Sequence, residues 1–248
     1  MAAIHVHLSE PFTKGTLHLA LPPGPDRADH ARTLIDAAAR IVQSSPHTPA
    51  DADLQLDVAR DDTELLAVLD EIGFRVVQKE TILEVDILDA PAPSWPASIQ
   101  VSTFSVTRDL KDGYEVIREC FVSKLGGWHL AWNDYEYSVQ NDPTALPGLS
   151  VIARDTVGPI AVALNFMDTT KPNTGLTGLV AVRIRRRNQG LGRALLLETF
   201  DRFRGRGWSH ARLATVLGMD LDDNNYSLYT GVGMRPVYDN LVLARGLR

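Results

Sequence analysis

The segment Val180-Ala-Val-Arg-Ile-Arg-Arg-Arg-Asn-Gln-Gly-Leu-Gly-Arg-Ala-Leu-Leu-Leu197 decides how the chain is read. Its small and β-branched start reads as the end of a strand. A basic, glycine-containing loop follows. From Leu191 to Arg204, with Leu195, Leu196, Phe200 and Phe203 on one face, the pattern is that of a helix facing a core. The first N–H groups of a helix have no intrahelical partner, and the helix dipole adds partial positive charge, so such a junction binds phosphate. Gly190 and Gly192 remove Cβ atoms that would hold a pyrophosphate away from the backbone. Arg183, Arg185, Arg186, Arg187 and Arg193 fall in or beside this loop, and guanidinium groups can pair with phosphate oxygens in forked geometry.

Two familiar phosphate loops do not fit. A Walker A loop needs Gly-Lys-Ser/Thr, which is absent here. A dinucleotide fingerprint needs a third glycine where Leu195 stands, and its loop follows an opening strand, whereas three strands precede this one. A third reading, a glycine-punctuated helix start with surface arginines, stays open on the residues alone.

Outward from this segment the order is mixed. Strands are expected over 98–106, 149–154, 159–166, 174–184, 211–216 and 237–244. Helices are expected over 112–124, 131–139, 191–204 and 222–230. One mixed sheet with flanking helices, an α/β (α+β) class, follows from that order. The chain of 248 residues carries net charge −6, with a pI of about 5.6, which argues against a general nucleic-acid binder. The charge is uneven. Residues 1–97 hold 7 Lys and Arg against 16 Asp and Glu, net −9, while the remainder is net +3. The change coincides with the proline-rich stretch Asp89–Pro96, read as a linker, giving domains 1–92 and 93–248.

Cys120 is the one cysteine and sits in an apolar helical stripe, so an inert thiol and no disulfide are expected. His5 and His7 share a strand face without a third ligand, so no metal is expected. The N-terminal residues lack the pattern of a signal peptide, and no apolar run approaches a membrane span. A soluble cytoplasmic protein, a monomer or homodimer with no membrane partner, is the expectation.

Arg187-x-x-Gly190-x-Gly192 resembles the Q/R-x-x-G-x-G/A signature of the GNAT superfamily of acyl-CoA-dependent N-acyltransferases, and Leu228-Tyr229-x-x-x-Gly233-Met234 resembles its L-Y-x-x-x-G-F. The resemblance covers roughly residues 98–248. It implies a GNAT fold and a cofactor, acetyl-CoA as cosubstrate with no metal. The site residues it implies are Val180, Ala181 and Val182 on the fourth strand, Arg187, Asn188, Gln189, Gly190, Leu191, Gly192 and Arg193 around the pyrophosphate, and Asn225. Met234 replaces the usual Phe, and Asp222 stands where relatives often have Asn. The activity implied is N-acetyltransferase, by direct transfer to a primary amine of a small molecule. Tyr229 takes the place of the family's general acid, a phenol that protonates the leaving thiolate. No motif fixes the base; Asp168, Glu136 and His129 are candidates, with Asp168 preferred. Trp128, Trp132, Tyr135 and Tyr137 come from the region that shapes the acceptor pocket in that family. A non-catalytic acyl-CoA-binding or interaction protein is the alternative.

The first 90 residues resemble a damaged second copy, a partial GNAT-like unit. A shift of 161 places Leu34-Ile35 on Leu195-Leu196, Asp29 on Gly190 and Ala31 on Gly192, so both glycines are lost and a carboxylate enters the loop. Leu69-x-x-x-Gly73-Phe74 repeats the pattern around Tyr229. The arrangement resembles tandem proteins of the mycothiol synthase type, with one copy inactive, and implies one acyl-CoA per chain.

Overall fold

Apolar alternation along Asp53–Ala59 buries Leu54, Leu56 and Val58 on one face and turns Gln55 and Asp57 to the other, the two-residue period of a strand. The computed structural model describes residues 2–9, 14–44, 52–121, 131–216 and 224–247. In chain order the elements are β1 (Ala3–Ser9), β2 (Lys14–Ala20), α1 (Arg27–Ser44), β3 (Asp53–Ala59), α2 (Thr63–Glu71), β4 (Arg75–Asp86), β5 (Gln100–Thr103), α3 (Val106–Phe121), α4 (Trp132–Gln140), β6 (Val151–Asp155), β7 (Gly158–Met167), β8 (Thr174–Val182), α5 (Leu191–Gly205), β9 (His210–Val216), α6 (Asn224–Gly231) and β10 (Arg235–Gly246).

The chain forms two compact units, Met1–Thr81 with Tyr238–Arg248, and Ile82–Val237. The first unit orders its strands β1-β2-β3-β10-β4, with β1 antiparallel to β2, β2 parallel to β3, and β10 antiparallel to β3. Helices α1 and α2 cover one face. Ile35, Ala38 and Val42 pack with Leu54, Leu56, Val58, Leu69 and Phe74. The second unit orders its strands β4-β9-β8-β7-β6-β5. β5 to β8 form an antiparallel meander, and β9 lies parallel to β8. Helix α5 buries Leu196, Phe200 and Phe203 against one face, with Leu213 and Met234. On the other face α3 and α4 bury Val116, Ile117 and Tyr135 against Ile152, Val162 and Leu164.

The division falls inside β4, not at residue 92. Leu83 and Ile87 are fully buried in the core of the second unit, so the chain crosses before the prolines. The stretch expected to be a linker belongs to that unit. Arg204 on α5 donates to the carbonyls of Ile87 (3.1 Å) and Ala90 (2.9 Å), and Trp95 packs against the cluster around Val151 and Leu191. Prolines bar a helix or a central strand, but they do not prevent an ordered strap.

The two halves repeat one order. β1-β2-α1-β3-α2-β4 matches β7-β8-α5-β9-α6-β10. Each final strand spans twelve residues, Arg75–Asp86 and Arg235–Gly246. Before each, a glycine takes a left-handed conformation, Gly73 at φ +91° and Gly233 at +89°. The next N–H closes the turn in both, Phe74 to Leu69 O at 2.9 Å and Met234 to Tyr229 O at 3.1 Å.

Candidate active site

β8 leaves its parallel neighbour part-way along. Thr174, Gly175 and Leu176 pair with His210, Ala211 and Arg212 of β9, and among the described residues no later residue of β8 pairs there. A bulge gives the local cause. The β7 register runs Leu164↔Leu179 and then Asn165↔Thr177, so Gly178 is the extra residue. Bulges sharpen the twist of a strand, and this one turns residues 179–182 away from β9. Gly178 fits because the Phe166 ring lies against it, where a Cβ would come within 2.6 Å. Two glycines within the strand pattern were the sequence signal for such an irregularity.

The freed edge has a definite polarity. Arg183 N–H donates to Ile160 O at 2.9 Å, so by antiparallel alternation Ala181 exchanges bonds with Val162, while Val180 and Val182 turn their backbone groups to the open side. The carbonyl of Val182 accepts from Cys120 Sγ (3.1 Å) and Arg187 Nε (3.2 Å). Among the described residues, the N–H and C=O of Val180 and the N–H of Val182 have no partner strand on that side. Of the three residues expected to hold a pantetheine arm, Ala181 is turned to β7 instead.

Beyond β8 the chain makes a 3-10 turn at Ile184–Arg186, a left-handed residue at Asn188 (φ 60°), and a left-handed cap at Gly190 (φ 77°). No side chain caps α5, and its first hydrogen bond runs from Ala194 N–H to Gly190 O at 3.0 Å. The N–H groups of Leu191, Gly192 and Arg193 therefore point out of the helix unpaired, the arrangement that receives an anion. The two glycines serve different ends. A Cβ at 190 would meet nothing within 4 Å, so backbone conformation calls for glycine there. A Cβ at 192 would lie 3.1 Å from Leu228 Cδ2, so that glycine lets α6 approach α5.

The arginines correct the expectation of a dense phosphate cradle. Arg183 is ion-paired with Glu119, and its Nε donates to Pro159 O at 2.7 Å. Arg186 is ion-paired with the buried carboxylate of Asp155, whose pKa it holds down. Arg187 serves the Val182 carbonyl, and Arg193 donates to Gly231 O at the end of α6. Arg185 is exposed and makes no ion pair among the described residues. The carboxylates of Glu119 and Asp155 lie 64 and 31 residues from their arginines in sequence, which local reading does not detect.

Tyr229 on α6 is half-buried beside Val180, Leu228 and Met234, and its hydroxyl hydrogen-bonds Thr215 of β9. Burial raises its pKa and the Thr215 contact offsets this only in part, so the phenol stays protonated. Thr215 lies five residues beyond His210, the partner of Thr174, which, with Gly178 as the extra residue, sets it level with Val180 at the parted edge. Asn225 falls in the first turn of α6, and its side chain lies outside the described residues.

Asp168 is elsewhere. Its N–H donates to Thr174 O at 3.2 Å, at the paired end of β8. Along the strands its backbone is about 17 Å from the level of Thr215. Its carboxylate accepts from Thr170 N–H (2.7 Å), Thr170 Oγ1 (2.6 Å), Lys171 N–H (3.1 Å) and Arg212 (3.1 Å). Burial pushes the pKa up, but the Thr170 and Arg212 contacts outweigh it and hold it below the usual carboxylate range. Arg212 and Lys171 both reach Glu84 as well, so Asp168 belongs to a structural ion-pair network. Geometry therefore corrects the expectation that Asp168 works beside Tyr229. Glu136 on α4 accepts from Gln140 at 3.1 Å. Trp132 and Tyr135 pack with Tyr114 in an aromatic cluster whose centroids lie 5.1 to 6.0 Å apart, and Tyr137 is exposed. Trp128, His129 and Asp222 lie outside the described residues.

Solved structures resemble the whole chain. A GCN5-related N-acetyltransferase from Sphaerobacter thermophilus matches at 22% identity and TM-score 0.73, over 100% of this chain and 77% of that one. The fold is that of the GCN5-related N-acetyltransferases. A tandem GNAT protein from the clavulanic acid biosynthesis pathway, without AcCoA, matches at 16% identity and TM-score 0.72, over 100% and 79%. A GCN5-related N-acetyltransferase from Kribbella flavida matches at 16% identity and TM-score 0.63, over 93% and 80%. No family model matches the sequence, and no curated protein does. In the GNAT frame β8 is the fourth strand and α5 the helix that follows it. Among the described residues no helix is long and apolar enough to cross a membrane.

Proposed function

We propose that the protein is an acyl-CoA-dependent N-acyltransferase, moving acetyl from acetyl-CoA to a primary amine of a small molecule by direct transfer. The observation that carries this reading is the parted edge of β8, which runs to the uncapped start of α5. The residues present fit acetyl-CoA. Backbone N–H groups at 191–193, with Arg185 and Arg193 near, suit a pyrophosphate, and the free backbone groups of Val180 and Val182 suit an extended amide-bearing arm.

Acetyl-CoA supplies the acetyl thioester when bound. The Val180 and Val182 edge orients the arm as an added strand would be oriented. A backbone N–H at this edge donates toward the thioester carbonyl, where negative charge develops. Tyr229, held protonated by burial and aimed by Thr215, gives its proton to the leaving sulfur. The amine loses its proton to solvent or to a group other than Asp168.

One observation favours a second reading, a non-catalytic acyl-CoA-binding protein: among the described residues, no unengaged carboxylate is identified beside Tyr229. The first unit is, in our reading, a degenerate copy. In it Arg27 and Asp62 form a two-contact ion pair between the starts of α1 and α2, which sets a carboxylate near the start of α1, where an anion would have to bind, and we expect no acyl-CoA there.

A panel of amines with acetyl-CoA, followed by free thiol release, tests the reading. Turnover on some amine supports the enzyme. Tight acetyl-CoA binding with no turnover across amines, peptides and aminoglycosides supports the binding protein.

A further inference from the structure

Among the described residues, five buried side-chain atoms of the second unit have no hydrogen-bond partner; apart from Trp95 Nε1 and the Tyr135 hydroxyl, they are Asn165 Oδ1, Thr177 Oγ1 and Thr199 Oγ1. Their residues are 1%, 2% and 0% exposed. A buried hydroxyl or amide oxygen left without a partner is costly, and three such groups in one layer need a common explanation.

They share a place. Asn165 and Thr177 are cross-strand partners on β7 and β8, on the face that carries α5. The Asn165 side chain is fixed, because its Nδ2 donates to Leu149 O at 2.8 Å, which leaves Oδ1 as the unused acceptor. Thr199 comes from α5. The Phe203 ring lies against Gly175, while Leu191 clusters with Val180 and Val182, so α5 runs back along β8. Thr199 lies one turn before Phe203, about 6 Å along the helix. Thr177 lies two residues after Gly175, about 7 Å along the strand. The two threonines therefore face each other at one level, with Asn165 beside them. None bonds another.

We propose that one water molecule is built into the protein at this point, accepting from the hydroxyls of Thr177 and Thr199 and donating to Asn165 Oδ1. Three bonds to otherwise unpaired buried groups is the usual complement of an internal water. Its place gives it a role. Leu176 is the last residue of β8 paired with β9, and Gly178 is the bulge. The water at Thr177 ties β7, β8 and α5 together at the residue where the strand turns away. It fixes the bulge and, through it, the direction of the freed edge.

A high-resolution crystal structure of the full chain tests this directly. The expected result is one ordered water within hydrogen-bond distance of all three atoms. Side chains rotated to bond each other or backbone carbonyls, with no water between, would overturn it. Thr199→Val gives an independent test, because the two outcomes have opposite sign. Removing a water-bound hydroxyl lowers the urea midpoint, whereas removing an unsatisfied one from a dry site leaves it unchanged or raises it. A lowered midpoint supports the water, and an equal or higher one contradicts it.

Discussion

A Cβ on Gly192 would stand 3.1 Å from Leu228 Cδ2, so the second glycine of the loop motif is where the helices α5 and α6 meet. Leu228 precedes Tyr229, and any displacement of Leu228 is passed to the phenol. Alanine at 192 gains about 1 kcal/mol of helix propensity and gives back a similar amount by crowding. Gly192→Ala is expected to keep its unfolding midpoint yet lose turnover. Gly190→Ala is expected to lose about 1–2 kcal/mol, because φ +77° is a left-handed conformation, although its Cβ would touch nothing. Urea unfolding of the two variants checks the contrast.

Tyr229→Phe removes the proposed acid and little else. A general acid contributes about 10²–10⁴-fold, so kcat is expected to fall by at least about 10²-fold with acetyl-CoA affinity retained. Burial raises the phenol above its ordinary 10.0. Loss of activity through ionisation of Tyr229 is therefore expected only above pH 10. An alkaline limb well below that value, present in the parent and absent in Tyr229→Phe, would contradict the assignment.

Acid should unfold the second unit through its paired carboxylates. Asp168, Glu84 and Asp109 all have pKa values held below 3.8, 4.5 and 3.8 by arginine and hydrogen-bond partners that outweigh burial. A carboxyl depressed in the folded state adds stability above its unfolded value and loses it as pH falls through the folded one. Stability is expected to hold down to about pH 5 and to decline below about pH 4. Glu80, in the first unit, is raised by burial and by Asp57 and works in the opposite sense. Arg212 is 12% exposed between Glu84 and Asp168. Arg212→Met takes the arginine from Asp168 and leaves Glu84 with Lys171, and is expected to cost about 3 kcal/mol at neutral pH. Its loss should shrink at low pH, which a urea series across pH would show.

A fragment of residues 93–248 lacks Leu83 and Ile87, both 0% exposed in the core of the second unit. Each such side chain contributes about 1.5–3 kcal/mol by burial, against a typical domain stability of about 5–15 kcal/mol. The fragment is expected to unfold at much lower urea than the full chain, or without cooperativity. A fragment with the parent's midpoint would refute the exchange of β4 into that unit.

The junction of β8, loop and α5 was legible because a strand period, two glycines and an apolar stripe lie within eighteen residues. The start of α3 was not. Its first turn reads Val106-Thr-Arg-Asp109, and Asp109 is buried by ion pairing with Arg154 rather than by apolar character. The polar signal was there, since Asp109 Oδ2 accepts from Ser105 N–H just before the helix. The unit boundary escaped because β4 is one unbroken strand by pattern, and nothing local says which core its second half enters. The partners of Arg183 and Arg186, and the distance between Asp168 and Tyr229, are tertiary facts. A motif names residue types near a site; only the register of β8 on β9 says which of them share an end.

The most direct test of the account is calorimetric titration of the full chain with acetyl-CoA, beside Gly190→Asp. That substitution sets a carboxylate at the uncapped start of α5, where the pyrophosphate is placed, and repulsion should act there more than on the fold. The account predicts one site per chain in the parent and at least a tenfold loss of affinity in Gly190→Asp, with the fold retained by circular dichroism. No binding, two sites per chain, or equal affinity in the two proteins would contradict it.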